Sequence, residues 1–240
     1  MVRGIEKFSV NSQAQVIEEL ISRQPENKIL TANQVYRQLP ENFSEQAFYQ
    51  TLTRLTKKGT LCHLTKGLYY RPRRSRFGVV PIGEQNIIDH YIENGQGMVI
   101  GYRLYNQLGL TSQISKNVEL LSNALSEKRK TVSNIKVSRL DLNFDATTCR
   151  ALATLEILQN YRHIEDINRQ QLAEYMQKYA LDYSEESVVK VLTARKYQKS
   201  TIAFLASFLD FWNIEHTLPQ YLSRLSTYAF PQMEEFYPYA

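Results

Sequence analysis

The chain has 240 residues and 28.0 kDa, with 43% hydrophobic and 22% charged residues, which excludes a disordered chain and leaves room for two folded parts. Its formal charge is +5, but residues 1–80 carry 13 Lys/Arg against 6 Asp/Glu, whereas residues 81–240 carry 16 against 18. The basic character therefore belongs to the first third and points to a polyanionic partner, nucleic acid ahead of an anionic membrane surface. Two cysteines, Cys62 and Cys149, exclude a disulfide framework. The opening MVRGIEKFSV lacks an apolar leader and the most apolar helical run, TIAFLASFLDFW, is short and interrupted by Asp210, so a cytoplasmic protein with no membrane partner is expected.

In chain order, Ala14, Val16, Ile17, Leu20 and Ile21 recur at helical spacing between Ser12 and Gln24, and Pro25 follows. Thr31-Ala32-Asn33-Gln34 has the form of a capping box opening a short second helix, with Val35 and Leu39 inward and Pro40 as its stop. Ser44 is an N-cap for a third helix, EQAFYQTLTRLTKK, that stops at Gly59. At 100° per residue, Phe48, Leu52 and Leu55 share one side of it, and Gln46, Gln50, Thr53, Arg54 and Lys57 lie almost opposite. TLCHLT and LYYRP then read as strands joined at Lys66-Gly67. Three helices followed by a basic two-stranded wing is the order of a winged helix-turn-helix.

Beyond it, helices are expected in GEQNIIDHYIEN and GYRLYNQLGL, and strand pieces around NVELLSNAL, KTVSNIKV and SRLDLNF. After Asp145 the pattern is helical: DATTCRALATLEILQNY, RQQLAEYMQKYA, EESVVKVLTARKY, KSTIAFLASFLDFWNI and LPQYLSRLSTYAF, before the aromatic end FYPYA. The expected fold class is α+β, mainly α. A winged helix-turn-helix occupies 1–77, and a second part at 78–240 is mixed over 78–145 and helical over 146–240.

Leu52 to Gly78 contains eight cations and no Asp or Glu. Glutamine can bond bidentately to adenine, arginine to guanine, and a threonine methyl can touch thymine, so Gln46, Gln50, Thr53 and Arg54 are the candidates for base readout. Tyr49, Lys57, Lys58, Lys66, Arg71, Arg73, Arg74 and Arg76 are the candidates for the DNA backbone. The competing reading is a solvated helix face followed by a solubilising loop, and the absence of acidic residues weighs against it. Core packing is the better reading of Tyr69 and Tyr70 taken singly. His63 beside Cys62 lacks further ligands at metal spacing, because His90, His163, His216 and Cys149 are scattered, so neither a metal nor a cofactor is expected. No Gly-rich phosphate loop, nucleophile elbow or H-E-x-x-H run is present, so no catalytic residue is assigned and an enzyme that uses the wing to find nucleic acid ranks last.

Two motifs carry a resemblance. Gly67-Leu68-Tyr69-Tyr70-Arg71-Pro72, continued by Ser75-Arg76-Phe77-Gly78, precedes Gly101-Tyr102 and then Tyr105-Asn106-Gln107-Leu108-Gly109-Leu110-Thr111-Ser112-Gln113. Together they resemble the AbiEi-type antitoxins of abortive-infection toxin–antitoxin systems, in the branch of short winged-helix regulators, over roughly residues 10–140. The resemblance implies operator binding and repression of the chain's own operon by the winged helix. It also implies an antitoxin domain after it, and a nucleotidyltransferase-type toxin as functional partner, counteracted with or without a stable complex. Within the second motif Tyr102, Asn106 and Gln113 are the candidates, although Asn106 and Gln113 also suit local backbone capping. The alternative is a stand-alone winged-helix regulator whose second part senses a ligand or a protein. Double-stranded operator DNA is the partner common to both, and a homodimer on inverted half-sites is left open.

Overall fold

The computed structural model describes residues 13–237. The chain divides into two compact units, one running to His90 and the other from Tyr91. The division falls later than the expected 77/78, because a second hairpin and most of the helix that follows it group with the first unit.

The first unit contains helices α1 (Gln13–Ser22), α2 (Ala32–Tyr36) and α3 (Glu45–Lys57), and strands β1 (Ile29–Thr31), β2 (Cys62–Thr65), β3 (Leu68–Tyr70), β4 (Arg73–Ser75) and β5 (Gly78–Val80). Helix α4 (Glu84–Ile92) crosses into the second unit. Ile17 and Ile21 of α1, Val35 of α2, and Phe48, Leu52 and Leu55 of α3 close a small core with Leu30 and Leu61. Strand β1 was not expected. It pairs antiparallel with β3, which also pairs antiparallel with β2, giving the order β1-β3-β2. Thr31 is thereby the last residue of a strand, and the expected capping box does not form: its side chain makes no cap bond. The Ala32 amide donates instead to the Gly67 carbonyl (2.9 Å), so the hairpin turn holds the start of α2. Gly67 has φ +75°, a conformation that costs L-residues energy and achiral glycine little. Ser44 does cap α3, accepting from the Ala47 amide (3.4 Å). The Thr60 amide donates to the Leu55 carbonyl (3.0 Å) at the other end.

The second unit is built on a four-stranded sheet of β6 (Gly97–Ile100), β7 (Val118–Ser122), β8 (Arg129–Val132) and β9 (Ile135–Arg139) in the order β6-β7-β9-β8. Strands β7 and β9 run parallel and the outer pairs antiparallel. Of the expected strand SRLDLNF only Ser138 and Arg139 lie in β9, and β6 was unforeseen. A Cβ on Gly97 would stand 2.4 Å from the Leu121 carbonyl oxygen and 2.5 Å from that of Tyr91, so only glycine lets β6 lie this close to both. Helix α5 (Gly101–Gln107) follows β6 directly.

Four long helices complete the unit: α6 (Ala146–Asn160), α7 (Arg169–Leu181), α8 (Glu185–Ala194) and α9 (Lys199–Phe211). Helix α6 is buried continuously from Ala151 to Leu158, which makes it the central rod of the core. Its N-cap, Asp145, accepts from the Thr148 amide (2.8 Å) and the Thr147 hydroxyl (2.8 Å). These bonds hold its carboxyl below the usual carboxylate range. The expected last helix, LPQYLSRLSTYAF, does not form: only Leu218–Tyr221 makes a short 3-10 turn, and Leu222 turns extended. Leu218 is buried while Leu225, on the same helical stripe in sequence, is 99% exposed. The chain instead lays Phe230 on Phe204 (5.6 Å between centroids) and Phe236 on Phe208 (5.3 Å). Tyr237 stacks on Phe211 (4.9 Å) and donates to the Ala173 carbonyl (2.8 Å). The last three residues of FYPYA lie outside the described residues. Among the described residues no helix is long and apolar enough to cross a membrane.

Candidate nucleic-acid interface

The faces of α3 separate as its period requires. Phe48 (0% exposed), Leu52 and Leu55 are buried, with Thr51 beside them donating to the Ala47 carbonyl (2.8 Å). Gln46, Tyr49, Gln50, Thr53, Arg54, Lys57 and Lys58 are exposed. Gln46 and Gln50 keep their amides without a protein partner among the described residues. The other expected readers are engaged. Thr53 donates its hydroxyl to the Tyr49 carbonyl (2.9 Å), and Arg54 pairs with Glu18 of α1. That pair is solvated, so exchanging it for a base costs little. Tyr49 donates to the Asn33 side-chain oxygen (3.3 Å), tying α3 to α2.

The cations beyond α3 fall into two groups. Arg71 donates to the Gln24 carbonyl behind α1, and Arg74 donates to the Gly59 carbonyl (2.8 Å) just past the end of α3. These two expected phosphate contacts therefore hold the unit together. By contrast, among the described residues the side chains of Lys57, Lys58, Arg73 and Arg76 hold no hydrogen bond or ion pair. Lys66 sits exposed at the β2–β3 turn. Tyr70 is buried and Tyr69 half-buried, its ring 5.0 Å from that of His63. Burial pushes both hydroxyls up from the usual tyrosine value.

In the second motif the side chains turn to the loop before α7. Tyr102 donates to the His163 carbonyl (2.9 Å) and accepts from the Glu165 amide (3.3 Å). Asn106 donates to the Thr111 carbonyl (3.1 Å), and Gln113 donates to the Asp166 carboxylate (2.8 Å). Thr111 reaches the same loop through the Glu165 carbonyl (2.7 Å). The local backbone role expected of both is thus realised by Asn106, whereas Gln113 reaches a side chain far along the sequence. Among the described residues no group of three His, Cys, Asp or Glu side chains is placed to hold a metal ion.

A family model described as "Family of unknown function (DUF6088)" matches residues 16–200. The chain belongs to this family. The DUF6088 match runs from α1 into the start of α9, covering α3, both hairpins and the Tyr102–Gln113 motif, and leaving the aromatic wrap beyond it. No curated protein matches the chain.

Sequence reasoning missed the β4–β5 hairpin within the DUF6088 region, with Phe77 86% exposed at its turn. Its signal was present in Ser75-Arg76-Phe77-Gly78, two strand ends around a two-residue turn, but the four arginines masked it. Sequence reasoning took Asn33 and Gln34 only as part of a capping box, whereas both lie exposed at the start of α2.

Proposed function

We propose that the first unit is a winged helix-turn-helix that binds operator DNA, with α2 and α3 as the helix pair, α3 in the major groove, and the β2–β3 hairpin as the wing. The observation that carries this reading is the division of α3. It buries Phe48, Leu52 and Leu55 and leaves Gln46 and Gln50 with open amides, at the head of a stretch with no acidic residue between Glu45 and Glu84. Gln46 and Gln50 read base edges, with Thr53 and Arg54 joining after local exchange of their protein partners. Lys57, Lys58, Lys66 and Arg73 meet phosphates on either side of the groove. The physiological context proposed is that of an antitoxin which represses its own operon in the cytoplasm and counteracts a nucleotidyltransferase-type toxin through its second unit. This context is supported by the two motifs alone. No catalytic role is included.

The test is a titration of the full chain against the DNA upstream of its own gene, over a salt series. About four neutralised phosphates per head predict a log–log slope of about −4. A Gln50→Ala variant should lose the preference for that DNA over random duplex while keeping its random-DNA affinity. No preference in the wild type removes the operator reading. Co-expression with a neighbouring nucleotidyltransferase-like gene should restore growth. Failure there removes the antitoxin context and leaves a stand-alone regulator.

A further inference from the structure

The β4–β5 hairpin holds an aromatic ring out in solvent. Arg73 pairs with Val80, Arg74 with Val79 and Ser75 with Gly78, so Arg76 and Phe77 form the turn. Phe77 is 86% exposed and Val79 47%, and an apolar side chain left in water gains nothing from folding. The tip is nevertheless braced. The Phe77 amide donates to the Ser75 hydroxyl (3.1 Å), which donates to the Gly78 carbonyl (3.3 Å). The base of the hairpin is pinned by the Arg73 amide to the Asn27 side chain (3.2 Å) and by the Arg74 guanidinium to the Gly59 carbonyl (2.8 Å). The Arg76 guanidinium lies 4.7 Å from the centre of the Phe77 ring. A fixed ribbon therefore displays one ring framed by cations, in a stretch without a carboxylate from Gln46 to Gly83.

Such a surface suits a partner that offers flat apolar faces behind a fence of negative charge, which describes stacked bases between phosphates. Resting on the DNA-binding reading above, we propose that this tip is a minor-groove wedge separate from the β2–β3 wing. Phe77 enters partway between two neighbouring base pairs and kinks the duplex, while Arg73 and Arg76 neutralise the flanking phosphates. Steps that unstack easily, such as TA or CA, are the ones it selects, giving sequence preference at positions that α3 never touches.

The experiment uses the full chain and a duplex carrying the DNA upstream of its own gene. Dyes on the two ends report bending by energy transfer, and 2-aminopurine is scanned through the sequence to report unstacking. Wild type should shorten the end-to-end distance and brighten 2-aminopurine at one step. Phe77→Ala should abolish both signals and weaken binding about tenfold, whereas Phe77→Leu, still able to wedge, should retain most of each. Because Phe77 is exposed, neither variant threatens the fold. If Phe77→Ala binds and bends DNA like wild type, the wedge is overturned and the DNA-binding reading stands. If wild type fails to bind the duplex at all, both fall. If Phe77→Ala bends DNA normally but loses self-association in sedimentation, or loses binding to phosphatidylglycerol vesicles, the ring belongs to a protein or lipid contact and the wedge is again overturned.

Discussion

The two units spend the same residue type in opposite ways. In the second, Arg195 is drawn onto Glu156, a carboxylate only 3% exposed, with one oxygen 2.8 Å from the Arg195 Nε. Tyr197 donates to that oxygen as well (2.6 Å), and burial beside the carboxylate pushes its hydroxyl far up. In the first unit Arg73 and Arg76 reach outward, and the sequence supplies no acid from Gln46 to Gly83 to meet them. A buried pair of the first kind fixes how helices assemble and adds little net stability against an apolar substitute. Unpaired cations of the second kind add nothing to folding, and their worth is realised against an external polyanion.

The sharpest way to separate the units is Phe48→Ala. Emptying a fully buried site in so small a core should cost roughly 4 kcal/mol. Thermal melts should then show the first unit lost and DNA binding abolished, while the aromatic core of the second unit melts at its normal temperature. If both units melt together, their independence is wrong. Glu156→Ala is the mirror test. It strands Arg195 and should cost roughly 3 kcal/mol, at the low end for a broken buried pair because Arg195 is a third exposed. DNA affinity measured below the lowered melting point should not change.

A finer comparison lies within the first unit. Arg71→Ala removes a bond to the Gln24 carbonyl and should lower that unit's stability by about 1 kcal/mol in urea titrations. Arg73→Ala should leave stability unchanged and make the salt slope of DNA binding shallower by about one. Equal effects of the two on stability would erase the division between structural and partner-facing arginines. The smallest effect concerns Asp145, whose carboxyl is held low by bonds to Thr148 and Thr147. A depressed carboxylate contributes stability that is present above its unfolded pKa, about 4, and lost as pH falls through its folded value. Asp145→Ala should therefore cost about 1 kcal/mol at pH 7 and progressively less on acidification below pH 4, as read from urea midpoints at each pH.

What the sequence showed plainly was whatever repeats along a long element. Phe48, Leu52 and Leu55 mark the inner face of α3, and α6 was readable as a helix, though not as the buried centre of the core. Short strands escaped because three or four residues carry no period. Of Ile29-Leu30-Thr31 only Thr31 was read, as the cap of a helix, and Gly97 to Ile100 fell unassigned between two expected helices, although both segments join sheets through later strands. The stripe Leu218, Leu222, Leu225 was misleading for a different reason. Its spacing suits a helix, but the rings of Phe204 and Phe208 reward an extended chain that can set Phe230 and Phe236 against them. The candidate interface was legible in its charge and in the polar face of α3. Which arginines are tied down was not, because the Gln24 and Gly59 carbonyls that hold Arg71 and Arg74 lie far from them in sequence.

The aromatic wrap also sets an order of events during synthesis. The first unit is complete at His90, whereas Phe236, which closes over Phe204 and Phe208, is made 236 − 90 = 146 residues later. The unit with the outward cations can thus be ready while the larger core still lacks its cover, since chains fold domain by domain from the N-terminus. Until then Phe204 and Phe208 have only such earlier partners as Tyr161, and the part of their surface that Phe230 and Phe236 will cover stays open while the chain between is made.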